Sequence, residues 1–264
     1  MSSDETPAAG AAHALAALDE LTRRLRVECP WDREQDERTI VPHTLEEAYE
    51  LADAAHRRDD GKLLDELGDV LFQVHFLSLL LEERGAGSLA EVAEHVRQKL
   101  IRRHPHIFED VEVAHAGEVL RNWDAIKATE TGREPGIFGE VPENLPSLLY
   151  ARKVQRRAST SGFDVDEPPY GAITGQLEVL EEAGAGADPD ARFEAAGDLL
   201  FAAVNVARKL HVDPELALRS SADRFRARVE AAERLAEADG ARWDDLDTGA
   251  QISYYAQARL QEED

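Results

Sequence analysis

The chain has 264 residues, enough for one large domain or two modest ones, and its 43% hydrophobic content can furnish a packed core. Its formal charge of −24, from 54 acidic against 30 basic residues, argues against a nucleic-acid partner, because phosphate backbones are held chiefly by Lys and Arg. The same field repels a free nucleoside triphosphate, so a nucleotide ligand would need a metal to bridge it to the protein; solubility alone accounts for part of the charge.

Ala, Leu, Glu and Arg crowd nearly every segment while β-branched runs bounded by turns are scarce, which predicts an all-α protein. The stretch Met1-Ser2-Ser3-Asp4-Glu5 lacks the basic and apolar regions of a signal peptide, so a cytoplasmic protein is expected. Helical periodicity runs from Ala11 to about Val27 and breaks at Cys29-Pro30-Trp31-Asp32. Cys29 is the sole cysteine, which excludes an intrachain disulfide. Thr44 reads as a helix cap with Glu47 completing a capping box, and that helix is expected to reach Arg58. Asp59-Asp60-Gly61 makes a turn, and Lys62 to Arg84 forms the next helix, closed by Gly85. Its most apolar run, Val70 to Leu81, contains Gln73 and His75 and is too short to span a bilayer, so no membrane partner is expected. Further helices are predicted from Leu89 to Arg103, stopped by His104-Pro105, and from Glu118 to Thr129.

Three prolines and three glycines between residues 131 and 147 mark a linker, dividing a first domain (1–130) from a second (148–264). Helix dominates the second domain apart from interruptions at Phe163–Pro169 and Ala183–Pro189. The two halves repeat each other: Gly68-Asp69-Val70-Leu71-Phe72 returns as Gly197-Asp198-Leu199-Leu200-Phe201, and Trp123 with Lys127 returns as Tyr255 with Arg259.

The chemistry concentrates in two acidic stripes. At about 100° per residue, Glu46, Glu47 and Glu50 share an arc of ~100°, with Asp53 close to it. Asp65, Glu66, Asp69 and Gln73 line one stripe of the following helix, and Asp69 leads straight into an apolar run. A short turn makes the two helices antiparallel neighbours, so the stripes can face each other. Like charges so placed repel, and an unpaired buried carboxylate costs several kcal/mol, so the arrangement asks for a cation. Hard oxygen ligands without His or Cys select magnesium, manganese or calcium over zinc. A di-iron bundle would need two Glu-x-x-His repeats; only Glu112 with His115 qualifies, in a stretch that does not read as helix.

E-E-x-x-E followed sixteen residues later by E-x-x-D resembles the MazG family of nucleoside triphosphate pyrophosphohydrolases. The resemblance extends to Cys29-Pro30-Trp31-Asp32, Glu66-Leu67-Gly68-Asp69, Arg102-Arg103-His104-Pro105-His106, Trp123 with Lys127, the two-copy layout and Gly162-Phe163-Asp164. It implies two tandem four-helix-bundle-like units that dimerise, with Mg²⁺ (Mn²⁺ as substitute) serving the release of pyrophosphate from a nucleoside triphosphate. Carried onto this sequence, it makes Glu47, Glu50, Glu66 and Asp69 metal ligands, with Glu47 also counted in the catalytic set. Glu46 would orient or deprotonate the attacking water, or support the site from outside the ligand set.

Lys99, Arg102, Arg103 and Lys127 are candidate phosphate contacts, or else surface partners for the many acids; Trp123 would cover a base or ribose, or pack in the core. The second copy departs from the pattern: Ala195 stands where Glu66 has its counterpart, and Thr174 and Gly175 replace the Glu46–Glu47 pair. Chemistry is therefore expected in the first half. The competing reading is a helical scaffold that senses a nucleotide or metal without turnover; a scaffold has no need of a self-repelling acid set.

Overall fold

The computed structural model of the chain describes residues 6–129, 136–139, 141–184 and 188–261. Helix is the only regular structure among them, as the composition predicts. The chain forms two compact units, Met1–Glu130 and Thr131–Asp264. The first holds α1 (Pro7–Glu28), α2 (Pro30–Glu34), α3 (Glu37–Arg57), α4 (Asp60–Glu83), α5 (Leu89–Arg103), α6 (Pro105–Phe108) and α7 (Ala116–Thr129). The second holds α8 (Ser147–Thr160), α9 (Tyr170–Gly184), α10 (Pro189–Lys209), α11 (Pro214–Ala238), a 3₁₀ turn at Trp243–Asp245 and α12 (Thr248–Gln261). No described helix is long and apolar enough to cross a membrane.

Several helices start earlier than hydrophobic periodicity indicates, because caps rather than apolar residues set their ends. Thr6 caps α1, whose first residue is Pro7, a position where a missing amide hydrogen costs nothing. Pro30 likewise opens α2 immediately after ending α1. The expected Thr44–Glu47 capping box does not form. Asp36 is the cap of α3 and accepts from the Arg38 and Thr39 amides at 2.8 and 3.0 Å, while Thr39 Oγ1 accepts from the Asp36 amide at 2.8 Å. Thr44 therefore lies inside the helix, its hydroxyl donating to the Ile40 carbonyl at 3.3 Å, and Pro42 is accommodated within the early turns.

Only Arg58 and Asp59 connect α3 to α4. Arg58 takes a left-handed conformation (φ 57°, ψ 36°), and the Asp59 side chain caps α4 through the Lys62 amide at 3.1 Å. Asp60 and Gly61, expected in the turn, already belong to α4. So short a link forces the two helices to run antiparallel and in contact. Ile40 from α3 and Phe76 and Leu80 from α4 form the buried core between them, flanked by Phe72 and Leu77. Arg26 fastens α1 over this pair: its guanidinium bonds Glu83 at 2.8 Å, donates to the Asp32 and Gln35 carbonyls, and lies 5.7 Å from the Phe76 ring centre.

The second unit repeats the long antiparallel pair with α9 against α10. Its buried apolar residues are mostly small, including Ala195, Ala202, Val204, Ala232, Ala236 and Ala258, which lets helix backbones approach closely. Arg152 of α8 is bonded to Asp213, the residue that caps α11.

Phe76 has no exposed surface and touches both sides of the α3–α4 contact. Phe76→Ala is expected to cost about 3–5 kcal/mol, whereas Asp36→Ala, which removes only a cap, should cost about 1 kcal/mol. Urea denaturation followed by circular dichroism measures both, and equal costs would contradict this division of labour.

Candidate metal centre

Carboxylates from both partners of the α3–α4 pair meet at one place. Glu47 comes from α3, and Glu66 and Asp69, three residues apart and so on one face, come from α4. One carboxylate oxygen from each lies within 4.8 Å of the other two. This is the one such group of ligating side chains among the described residues. Glu66 is only 5% exposed, Glu47 is half-buried and Asp69 is open to solvent. Glu50 stands one turn beyond Glu47 on α3 and is exposed.

The electrostatics follow from this placement. Burial pushes the Glu47 carboxyl above its usual range, and the charges of Asp69, Glu50, Glu66 and Glu46 push it further. Glu66 is raised in the same way, first by burial and then by Glu50, with Asp65 and Asp69 adding to the effect. Lys62 opposes that shift, but its ammonium is 4.0 Å away on an exposed side chain. The fold therefore holds Glu47 and Glu66 where burial and neighbouring charges disfavour their ionised forms. Their chemistry fits a hard divalent cation: only oxygen donors converge, and the accumulated negative charge is what such an ion neutralises. A zinc site would call for His or Cys ligands.

Beyond the cluster, along the pair toward Ile40 and Phe76, Thr44 Oγ1 lies 3.4 Å from Oε1 of the buried Gln73. This polar layer separates the acids from the apolar core. Sequence reading missed Thr44 here, having taken it for a cap; its position three residues before Glu47 was the available signal.

Glu46 is turned elsewhere. Its exposed carboxylate bonds His43 Nδ1 at 3.2 Å, and the His43 ring meets Trp31 of α2 edge-on at 6.0 Å. The expected phosphate contacts lie on α5 and α7. Arg103 places its guanidinium 5.2 Å from the Trp123 ring centre, and His104 packs edge-on against the same ring at 5.0 Å, with His106 beyond it at 5.5 Å. Trp123 and Lys127 are half-buried on α7, Lys99 is half-buried on α5, and Arg102 is exposed beside Arg103.

In the second unit, Ala195 and Asp198 stand where the sequence repeat aligns Glu66 and Asp69. Ala195 is buried to 4% exposure, as Glu66 is to 5%, and Asp198 is exposed, as Asp69 is.

The MazG nucleotide pyrophosphohydrolase domain matches residues 35–108, the segment that contains Glu46, Glu47, Glu50, Glu66 and Asp69. A nucleoside triphosphate pyrophosphohydrolase/pyrophosphatase of Thermotoga maritima is 39% identical over 88% of this chain and 89% of its own length. A nucleoside triphosphate pyrophosphohydrolase of Escherichia coli is 38% identical over 89% of this chain and 92% of its own length. The chain belongs to the MazG family. Membership agrees with the all-α architecture, and the match from residue 35 begins where the Asp36 cap starts α3.

A carboxylate whose folded pKa is raised destabilises the fold at pH values above that pKa and ceases to do so below its unfolded value. Glu66→Gln removes that burden at pH 7. Without divalent cations, the variant is expected to melt above the wild-type protein, and the wild type should shed this penalty as the pH falls through the raised pKa of Glu66 toward the ordinary carboxylate value. Adding Mg²⁺ should raise the melting temperature of the wild type and leave the variant nearly unmoved. Differential scanning fluorimetry tests this; a variant that melts lower and still responds fully to Mg²⁺ contradicts it.

Proposed function

We propose that the first unit is the catalytic one and hydrolyses nucleoside triphosphates to the monophosphate and pyrophosphate, clearing unwanted nucleotides from the pool. The observation that carries this reading is the convergence of Glu47, Glu66 and Asp69 at the α3–α4 contact in a member of this hydrolase family. Glu50 is proposed as a fourth ligand, since its charge already bears on both Glu47 and Glu66. Bound there, Mg²⁺, or Mn²⁺ in its stead, would neutralise the polyphosphate, acidify a water and stabilise charge on the leaving pyrophosphate. The protein's own part is positional. Glu66 is immobilised by burial, and Asp69 reaches the same point from the next turn of α4. Glu46, with its rotamers restricted by His43, is assigned to the attacking water or to its support.

The residues on α5 and α7 supply cation and ring. Arg103 stacked over Trp123 is pre-oriented, and with Lys99, Arg102 and Lys127 it offers several positive side chains for phosphate oxygens in a protein of net charge −24. Trp123 is assigned to the base or ribose. The second unit, whose glutamate slot holds Ala195, is assigned to support and assembly.

The protein is further proposed to act as a homodimer or higher oligomer in the cytoplasm, without nucleic-acid or membrane partners. Leu64 of α4 is 76% exposed, and Leu67, Leu71 and Val74 continue an exposed apolar stripe along the same helix. Such a stripe on a soluble protein marks a contact surface. Light scattering is expected to give a mass at least twice 29.2 kDa at micromolar concentration, and a monomer would refute the assembly.

Two measurements test the chemistry. Ion-exchange chromatography of a Mg²⁺-containing reaction should show monophosphate and pyrophosphate; diphosphate and orthophosphate would exclude the proposed class. Glu47→Ala and Asp69→Ala should each lower kcat at least ~100-fold, because ligands of one metal act as a unit. Asp198→Ala should retain near-normal kcat. A folded Asp198→Ala protein without activity, beside an active Asp69→Ala protein, would move the site to the second unit.

A further inference from the structure

Between the carboxylate cluster and the apolar core lies an amide whose donor end is unused. Across the antiparallel α3–α4 contact the facing residues come in layers: Ile40 with Phe76 and Leu80, then Thr44 with Gln73, then Glu47 with Asp69. Gln73 is four residues after Asp69 on α4, and Thr44 is three before Glu47 on α3, so each sits one helical turn from a proposed ligand.

Gln73 is only 6% exposed. Thr44 Oγ1 lies 3.3 Å from the Ile40 carbonyl and 3.4 Å from Gln73 Oε1, so one hydroxyl hydrogen serves both acceptors and holds the oxygen end of the amide. Nε2 donates to no described residue, yet it is not among the fully enclosed unpartnered atoms, so it reaches accessible surface. On the core side Ile40 and Phe76 are 1% and 0% exposed and close that exit. The open side is that of the acids. A reversed amide would turn its oxygen toward their charge, so electrostatics favours the same orientation as Thr44 does.

The acceptor on that side is Glu47. It is half-buried among the charges of Asp69, Glu50, Glu66 and Glu46, and no described residue donates a hydrogen bond to it. Several rotatable bonds join its carboxylate to α3, so partial burial alone does not fix which oxygen faces a cation. A hydrogen-bond donor beside a metal-ligating carboxylate sets its orientation and leaves the other oxygen for the ion. We propose that Gln73 is a positioning residue for the metal centre, donating from Nε2 to Glu47 when a cation is bound while Thr44 holds the other end of its amide. The chain Ile40–Thr44–Gln73–Glu47 then ties one ligand to the rigid core. This role rests on the assignment of the cation site to Glu47, Glu66 and Asp69.

Mn²⁺ binding to the full chain without nucleotide, followed by electron paramagnetic resonance of the free ion, tests the proposal. Gln73→Met keeps the reach of the side chain and removes its donor. Its Mn²⁺ dissociation constant should rise about tenfold or more, the usual effect of losing a hydrogen-bond partner of a metal ligand. Thr44→Val should weaken binding in the same direction and Thr44→Ser should restore it, and this pair reports even if Gln73→Met melts early. Ile40→Val loosens the next layer without touching a donor and should bind Mn²⁺ as the wild type does. With Mg²⁺ and a nucleoside triphosphate, the metal concentration for half-maximal pyrophosphate release by Gln73→Met should rise in step with its Mn²⁺ constant. Its KM for the nucleotide at saturating Mg²⁺ should stay near the wild-type value. The proposal is overturned if Gln73→Met and Thr44→Val both bind Mn²⁺ as tightly as the wild type, or if Ile40→Val weakens binding as much as they do. It is equally overturned if only the nucleotide KM rises, which would make Gln73 a phosphate contact. Wild-type protein that binds no Mn²⁺, or undiminished binding in Glu66→Gln, overturns the cation site itself and this role with it.

Discussion

The first unit is organised around a carboxylate held where its charge is poorly solvated. Glu66 projects from α4 into the contact with α3, beside Glu47 and Asp69, and Lys62 at 4.0 Å offsets only part of the accumulated charge. Repulsion among these groups acts to part the two helices. The two-residue link at Arg58–Asp59 and the Ile40–Phe76–Leu80 core oppose it, the first by covalent constraint and the second by apolar burial. Arg26, bonded to Glu83 and to carbonyls around α2 while lying against Phe76, closes the same core from outside. The acids sit beyond the Thr44–Gln73 layer, so the strain is confined to one end of the helix pair.

In the second unit, Ala195 occupies the position that the sequence repeat aligns with Glu66, and alanines and valines make up the buried apolar residues of its helices apart from Pro214. An alanine there carries no desolvation cost, so the helices can pack without a cation. Functional sites are commonly less stable than the fold could otherwise be, and the pair of units displays both conditions on one architecture. Relief in the second unit is not complete: Gln155 keeps a buried acceptor without a donor, and the neighbouring Asp164 gathers Arg208, Lys209 and Ser159 around one turn.

The net charge of −24 takes on a more specific meaning beside these two units. A uniformly acidic surface repels phosphates, and under the proposed function the carboxylates and the cations of the first unit divide that difficulty between them. The carboxylates suit a cation, while Arg103 lies over Trp123 with Arg102 adjacent to it in sequence on α5. Neither would be expected to hold a triphosphate by itself.

Sequence alone determined the helical class, the acid stripes and the near-repeat of Gly68-Asp69 in Gly197-Asp198, because propensity, 3.6-residue periodicity and turn chemistry are short-range properties. It also showed that Ala195 removes a carboxylate from the second copy. Helix starts were less legible. Thr44 with Glu47 reads as the cap of α3, but the two Asp36 hydrogen bonds and the burial of Ile40 in the core set the start of the helix earlier. Periodicity put Asp65, Glu66 and Asp69 on one stripe but could not say which would be buried. The rotation of α4 against α3 decided that, placing Glu66 inward, leaving Asp65 and Asp69 exposed, and turning Glu46 to His43. Which of several chemically equivalent carboxylates carries the electrostatic cost depends on contacts between helices, and no spacing within one helix encodes them.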